Sequence, residues 1–373
     1  MTHRWSVVLI LTTLFASVGG ALYGVAGQTT PARTPIPVFD VDPGWPRPLP
    51  NNWTFGQFAG VHVDARDRVW VVQRPKTLEP DENALTLTPP PADCCAPAPP
   101  IMEFDMAGNF IQGWGGPGAG YDWPENEHGV FVDHKDNVWV GGNGPKDHHL
   151  LKFTRAGTFL LQIGRPGMSK GSNDTENLKR PAQVFVVPAT NELFVADGYG
   201  NRRVIVFDAD TGRYKRHWGA YGGHPDDAAP NAPVAEGAAS RQFNTLHGVQ
   251  VSHDGLVYAA DRVNNRIQVF RSDGTFVREA FVARPTRAQG VVYEVALSPD
   301  REQQFIYVPD GSNNHIWILE RTTLRVLGSV GRQGRYAGQF HHSHSMAVDS
   351  QGNLYVAETQ GKRVQKFTFK GLT

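Results

Sequence analysis

Three histidines stand at the same place in three strand openings of this chain: His128-Gly-Val-Phe-Val-Asp, His247-Gly-Val-Gln-Val-Ser and His344-Ser-Met-Ala-Val-Asp. They alternate with three related openings that lack histidine: Ala59-Gly-Val-His-Val-Asp, Ala182-Gln-Val-Phe-Val-Val and Tyr293-Glu-Val-Ala-Leu-Ser. The chain has 14 His in 373 residues, too few to place three at matched positions by composition alone. If the six segments close into a ring, the imidazoles lie about 120° apart and face one axis. Three neutral imidazoles bind zinc and leave its fourth position open for water or substrate, the arrangement of a catalytic rather than a structural site. His341 and His342 lie just before His344, but only His344 aligns with the strand opening. His148 and His149 fall in the turn and third strand of the second unit, farther from the axis.

These side chains need a scaffold that repeats. Each unit starts with an alternating apolar strand, followed by Asp/Ser-x-x-Gly/Asp/Asn and a second strand. The second strands are Val69-Trp-Val-Val, Val138-Trp-Val-Gly, Leu193-Phe-Val-Ala, Val257-Tyr-Ala-Ala, Ile306-Tyr-Val-Pro and Leu354-Tyr-Val-Ala. Third strands such as Arg203-Val-Ile-Val-Phe and Arg266-Ile-Gln-Val-Phe follow, and a fourth closes most units. Four short strands per unit, repeated at a period of tens of residues, predict an all-β, six-bladed β-propeller. The openings are spaced by 69, 54, 65, 46 and 51 residues. The two long steps hold a Pro-rich insertion at 75–100 and a loop at 224–241, both expected on the propeller rim. The sixth unit stops after its third strand. Pro35-Ile-Pro-Val-Phe-Asp-Val is a free strand candidate, so an N-terminal strand is expected to complete the last blade and leave no open edge.

The turn after each second strand lies on one face of such a disc. Aligned on the strand aromatic, Arg74 of the first unit and Arg262 of the fourth are equivalent and stand opposite one another. The third unit places Tyr199 in its turn. Arginine takes carboxylates through a planar fork. A tyrosine beside a metal and cations has the surroundings of a general base. This mouth therefore reads as an open metal site with carboxylate clamps and a base.

Lys+Arg and Asp+Glu are both 36, so nothing in the charge favours nucleic acid. Residues 1–27 read as a signal peptide or membrane anchor: Arg4 precedes an uncharged apolar run, and Val25-Ala26-Gly27 offers small residues for cleavage. The chain is thus expected to be exported, periplasmic or secreted, with membrane contact only if that segment is retained, and monomeric. Residues 28–52 carry the closing strand and 53–373 the propeller. The only cysteines, Cys94 and Cys95, are adjacent. A vicinal bridge, a bond to another chain and an inert pair all remain open. Asn52-Trp-Thr and Asn173-Asp-Thr are glycosylation sequons where the host has that pathway.

The units resemble NHL repeats, and the mouth resembles that of peptidyl-α-hydroxyglycine α-amidating lyases. The resemblance rests on Val195-Ala-Asp-Gly-Tyr-Gly-Asn-Arg-Arg-Val-Ile-Val-Phe, Leu246-His-Gly-Val-Gln-Val, Ala260-Asp-Arg-Val-Asn-Asn-Arg-Ile-Gln-Val-Phe and His344-Ser-Met-Ala-Val-Asp. It implies zinc on His128, His247 and His344, a catalytic Tyr199, and site arginines Arg74 and Arg262. It further implies cleavage of a peptide or small-molecule carbinolamide to an amide plus glyoxylate. A structural calcium, with an Asp directly after the third histidine, is also implied; here that residue is Ser345. The family's cysteine in the tyrosine motif is Gly200, and no copper monooxygenase domain is apparent. Two other readings compete: a metal-dependent hydrolase or lactonase, which would bring carboxylates to positions held here by His, Ala and Tyr, and a binding propeller without chemistry.

Overall fold

The computed structural model describes residue 1, residues 35–230 and residues 240–373. The expected signal or anchor segment and the centre of the 224–241 loop lie outside the described residues. Among the described residues, strands assemble into six four-stranded antiparallel sheets, blades I to VI. Their innermost strands are Gln57–Val63, Glu127–Val132, Val184–Val187, Leu246–Val251, Ala296–Leu297 and Ser343–Val348. No helix among the described residues is long and apolar enough to cross a membrane.

Burial explains the sequence pattern. Second strands such as Asn137–Gly142 and Glu192–Asp197 are buried along nearly their whole length, because both faces of a blade pack on neighbours. That is why they read as continuous apolar runs rather than alternating ones. Outer strands such as Phe159–Gly164 are only partly buried, with Leu160 exposed. Six hydrophobic clusters fill the junctions, one between each pair of adjacent blades. The aspartate repeated after the inner strands caps the following turn and anchors the aromatic of the second strand. Asp64 accepts from Trp70 Nε1 and Asp133 from Trp139 Nε1, both at 3.0 Å, and Asp349 accepts from the Tyr355 hydroxyl at 3.1 Å.

The ring closes by joining the two chain ends. Pro37–Asp42 pairs antiparallel with Arg363–Leu372 as the outer strand of blade VI. Ile36 and Thr373 exchange backbone hydrogen bonds of 3.1 Å in both directions. Val41 and Phe39 pack on the cluster between blades V and VI, and Trp45 is buried between blades VI and I.

In the inner pairs, the start of the first strand faces the end of the second: Gln57 opposes Arg74, Leu246 opposes Asp261 and Ser343 opposes Glu358. The strand openings and the turns after the second strands therefore share one face, the mouth. Both long segments emerge there, rather than standing on the outer rim alone. The 75–100 insertion leaves from Arg74 and returns to pair Ala96–Pro97 in parallel with Trp53–Thr54. In the described part of the 224–241 loop, Asp227 is held by the Ser172 backbone N–H at 2.8 Å and by the Ser172 hydroxyl. Cys94 and Cys95 form a vicinal disulfide within the insertion.

Candidate metal centre

The imidazoles reach the axis because the inner strands are bulged where the histidines sit. The ladder between first and second strands skips one residue at His247, at His344, and at Gly129 beside His128. A bulge bends its strand and re-aims a side chain. Gly129 has φ +72°, and a Cβ there would lie 2.3 Å from the Ala182 carbonyl oxygen. Glycine is required at that approach.

All three histidines are buried, and their nitrogens offer one ligand atom each within 4.8 Å of one another. The ring centres are 4.8 to 5.0 Å apart. His128 Nδ1 lies 3.0 Å from the Ala182 carbonyl, and His247 Nδ1 lies 2.7 Å from the Tyr293 carbonyl. Facing a carbonyl, each Nδ1 must carry the proton, so Nε2 turns a lone pair to the axis. His344 Nδ1 has no such partner. Burial, then the nearby Arg74, pushes His128 down to about 3. Burial also holds His247 and His344 well below the usual imidazole range, assisted by Arg262 at His247 and by the neighbouring histidines at both. Neutral rings are the ligand form. Two nitrogens on a tetrahedral zinc stand roughly 3.3 Å apart, given a Zn–N distance of about 2.0–2.1 Å. His128 Nε2 and His344 Nε2 are 3.3 Å apart. These residues fit a divalent metal.

Tyr199 stands against the cluster. Its hydroxyl is 3.2 Å from His128 Nε2 and 2.9 Å from His247 Nε2, and it accepts from an Arg262 terminal nitrogen at 3.2 Å. The Arg262 guanidinium also lies 5.3 Å from the Tyr199 ring centre and 4.8 Å from that of Tyr293. Burial pushes the Tyr293 phenol up to about 12, so it stays protonated and faces His342 Nε2 at 3.3 Å. Arg74 is half-way to a structural strut. Its Nε donates to the Glu127 carbonyl at 2.9 Å, and its terminal nitrogens to Gln57 Oε1 and Asn143 Oδ1 at 3.5 and 3.2 Å. It ties blade I to blade II beside the metal cluster.

His148 and His149 are outside the cluster. His148 accepts from the Ser169 backbone at 3.0 Å, and His149 Nε2 contacts the Asp122 carbonyl at 2.6 Å. Gly200 packs on Lys179, whose side chain would meet a Cβ there at 2.5 Å, so a cysteine does not fit that turn. At the position after the third histidine the structure places a hydroxyl rather than a carboxylate. Ser345 Oγ donates to Glu294 at 3.0 Å and accepts from the Val61 backbone at 3.1 Å. Burial pushes Glu294 up to about 8. A polar cavity of about 230 Å³ adjoins Tyr199, lined in part by Lys179, Arg202, Asp227 and Asn244. Sequence reasoning placed Tyr293 and Glu294 in a strand opening without giving them a role, and missed Arg180 and Asn143, whose contacts join separate segments and which no repeat position marks.

No family model matches the chain. It is 25% identical over 354 residues to NHL repeat-containing protein 3 of Mus musculus, covering 90% of this chain and 85% of that protein. It is 29% identical over 273 residues to peptidyl-α-hydroxyglycine α-amidating lyase 1 of Drosophila melanogaster, covering 68% of this chain and 47% of the lyase. It is 33% identical over 253 residues to peptidyl-glycine α-amidating monooxygenase A of Xenopus laevis, covering 65% of this chain and 24% of that protein. The chain thus spans about half or less of these last two relatives. Among solved structures, a streptogramin B lyase superposes with a TM-score of 0.54 at 13% identity, over 89% of this chain and 98% of the other. That likeness concerns the fold. The chain is a homologue of NHL-repeat propellers and of the amidating lyases.

Proposed function

We propose that the protein is a zinc-dependent carbon–nitrogen lyase that cleaves an N-acyl-α-hydroxyglycine to the amide and glyoxylate. The observation that carries this reading is one phenol oxygen, that of Tyr199, within 3.2 Å of two metal-ligand nitrogens and of Arg262. When bound by His128, His247 and His344, the metal supplies Lewis acidity toward the substrate hydroxyl. Tyr199, as the phenolate, takes the hydroxyl proton. The O–H electron pair becomes the carbonyl of glyoxylate, the C–N bond breaks, and its pair passes to nitrogen. The proton held by Tyr199 then completes the amide, so no outside reagent is consumed. Arg262 holds the phenol oxygen in place, and a guanidinium of the mouth receives the substrate carboxylate.

The test is glyoxylate release from α-hydroxyhippurate by zinc-loaded protein, with and without chelator. Chelator-sensitive release is expected. Zinc-replete protein that yields no glyoxylate from this compound or from a peptidyl-α-hydroxyglycine defeats the assignment. A second reading, a binding propeller without chemistry, draws on the fuller alignment with NHL repeat-containing protein 3. It requires no metal, so elemental analysis separates the two.

A further inference from the structure

Three arginines converge on the mouth, and among the described residues none forms an ion pair. The contrast is local. Arg203 and Arg266, on the neighbouring third strands, are fully buried and each bound to an aspartate, at 2.9 Å to Asp197 and 2.7 Å to Asp261. Arg74, Arg180 and Arg262 instead bring positive charge to the metal cluster without a directly paired carboxylate, and all three act on His128. Two of them are engaged by the site itself. Each of the three nitrogens of Arg74 already has an acceptor. Arg262 gives one terminal nitrogen to the Tyr199 oxygen and packs against two aromatic rings, with its Nε buried and without a partner.

Arg180 differs. Its Nε donates to the Asn143 carbonyl at 2.8 Å and its backbone N–H to the Asp147 carbonyl at 2.7 Å. Its guanidinium lies 5.6 Å from the Tyr199 ring centre. No protein acceptor among the described residues takes its two terminal nitrogens. The backbone is fixed at φ +60° immediately before Pro181, a conformation disfavoured for a long side chain and restricted further by the proline. Residues held in such conformations cluster at functional sites. Asn143 organises the pair, since its side-chain oxygen holds Arg74 while its backbone oxygen holds Arg180. The Asn143 loop is in turn pinned by buried Asp147, which accepts from the backbones of Glu125 and Asn126 at 2.7 and 3.1 Å.

We propose that Arg180 is the specificity-determining residue that receives the substrate carboxylate, through its two free terminal nitrogens. The site then selects α-hydroxy amides bearing a free carboxylate over their esters. This assignment rests on the lyase reading for its choice of substrate, but not for its binding test.

The zinc-loaded full chain is compared with R180A and R180K on α-hydroxyhippurate and on its methyl ester. Calorimetric binding of hippurate, which has no hydroxyl to react, runs in parallel. R180A should lose about 10- to 100-fold in kcat/KM on the acid, chiefly through KM, and should bind hippurate correspondingly more weakly, as expected for a hydrogen bond to a charged group. The ester should be unaffected. R180K, which keeps the charge but not the planar fork, should recover part of the loss. If R180A has no thermal transition, R180K decides: an acid-over-ester preference and hippurate affinity equal to wild type overturn the proposal. Equal losses on acid and ester overturn it too, as does failure of the wild type to bind hippurate. Wild-type protein that binds hippurate through Arg180 but releases no glyoxylate sinks the reaction and leaves Arg180 standing. Lyase activity whose acid preference survives R180A does the reverse.

Discussion

The blades that bear histidine and those that lack it hold the ring together by different means. Blade II reaches blade III through His128 Nδ1 and the Ala182 carbonyl, and blade IV reaches blade V through His247 Nδ1 and the Tyr293 carbonyl. The blades without histidine answer with side-chain acceptors. Gln183 of blade III takes the Val249 backbone N–H at 2.9 Å, and Glu294 of blade V takes that of Met346 at 3.0 Å. Blade VI breaks the alternation, because His344 Nδ1 has no partner and Ser345 Oγ takes the Val61 N–H instead. Blade I contributes no strut at Gly60, where a Cβ would lie 3.0 Å from Gly129 Cα, so backbone packs on backbone. One kind of strut therefore sets the tautomer of a metal ligand, and the other secures the inner strands below it.

If that division is correct, removing ligands has the largest effect. The double variant His128→Ala/His247→Ala should fall from about one zinc per chain to nearly none, with loss of glyoxylate release, while the fold persists. Elemental analysis after zinc-replete purification reads it directly. Stoichiometric zinc in the double variant would mean that the metal sits elsewhere.

The next effect is on stability and belongs to the other strut. Glu294 is raised from an ordinary 4.5 to about 8 by burial, opposed only by the Met346 N–H and the Ser345 hydroxyl. The folded state keeps the proton where the unfolded chain has released it. Stability should therefore be unaffected by this group below about pH 4.5, decline as pH rises toward 8, and level off above. The span corresponds to a few kcal/mol, at about 1.4 kcal/mol per unit. Glu294→Gln keeps the shape and has no proton to lose. In urea melts of metal-free protein, its stability relative to wild type should climb between pH 5 and 8. Parallel pH curves for the two proteins would show that Glu294 is already ionised in the fold.

Much of this architecture is legible in the chain and some is not, for physical reasons. The blade count and the closing strand are readable because each blade must bury both faces, which stamps an apolar second strand six times. His128, His247 and His344 are readable because they occupy that repeat. The struts are not. They depend on which side chain bridges two blades: Gln183 and Glu294 share one repeat position, but that position carries Gly in blades I, II and IV and Ser in blade VI, so no single residue type marks it. Arg180 is invisible for a related reason: it sits in a connection of irregular length, and its direction is set by Asn143 and Asp147 of another blade. Arg74 was legible as a residue, but its saturation by Glu127, Gln57 and Asn143 was not.

A smaller change tests whether the carbonyl strut tunes the ligand. Gly129→Ala places a methyl group against the Ala182 oxygen and needs a positive φ. Shifting that carbonyl frees His128 Nδ1. Loss of an outer-shell partner of this sort costs about 10- to 100-fold in metal affinity. Gly248→Ala meets Glu294 Cα at 3.0 Å and needs no positive φ, a looser contact beside the Tyr293 carbonyl that His247 Nδ1 faces, so its loss of zinc affinity should be the smaller of the two. Chelator competition on the two variants ranks them. Equal losses would mean that general crowding of the channel, not the His128 strut, governs the metal.

The smallest effect is expected at Gln183. Gln183→Ala removes the acceptor of the Val249 N–H and leaves the Ala182 carbonyl, which is backbone, in place. An unmet buried donor costs about 1–3 kcal/mol, and the lower end applies here because the adjoining channel has space of about 110 Å³ in which water can take over the bond. Zinc content and kcat should not move, while the urea midpoint falls slightly. The informative reading is the pair of measurements together. A fall in zinc affinity alongside the midpoint would couple the side-chain strut to the ligand set, and the ring would then act as one unit rather than as two interleaved sets of blades.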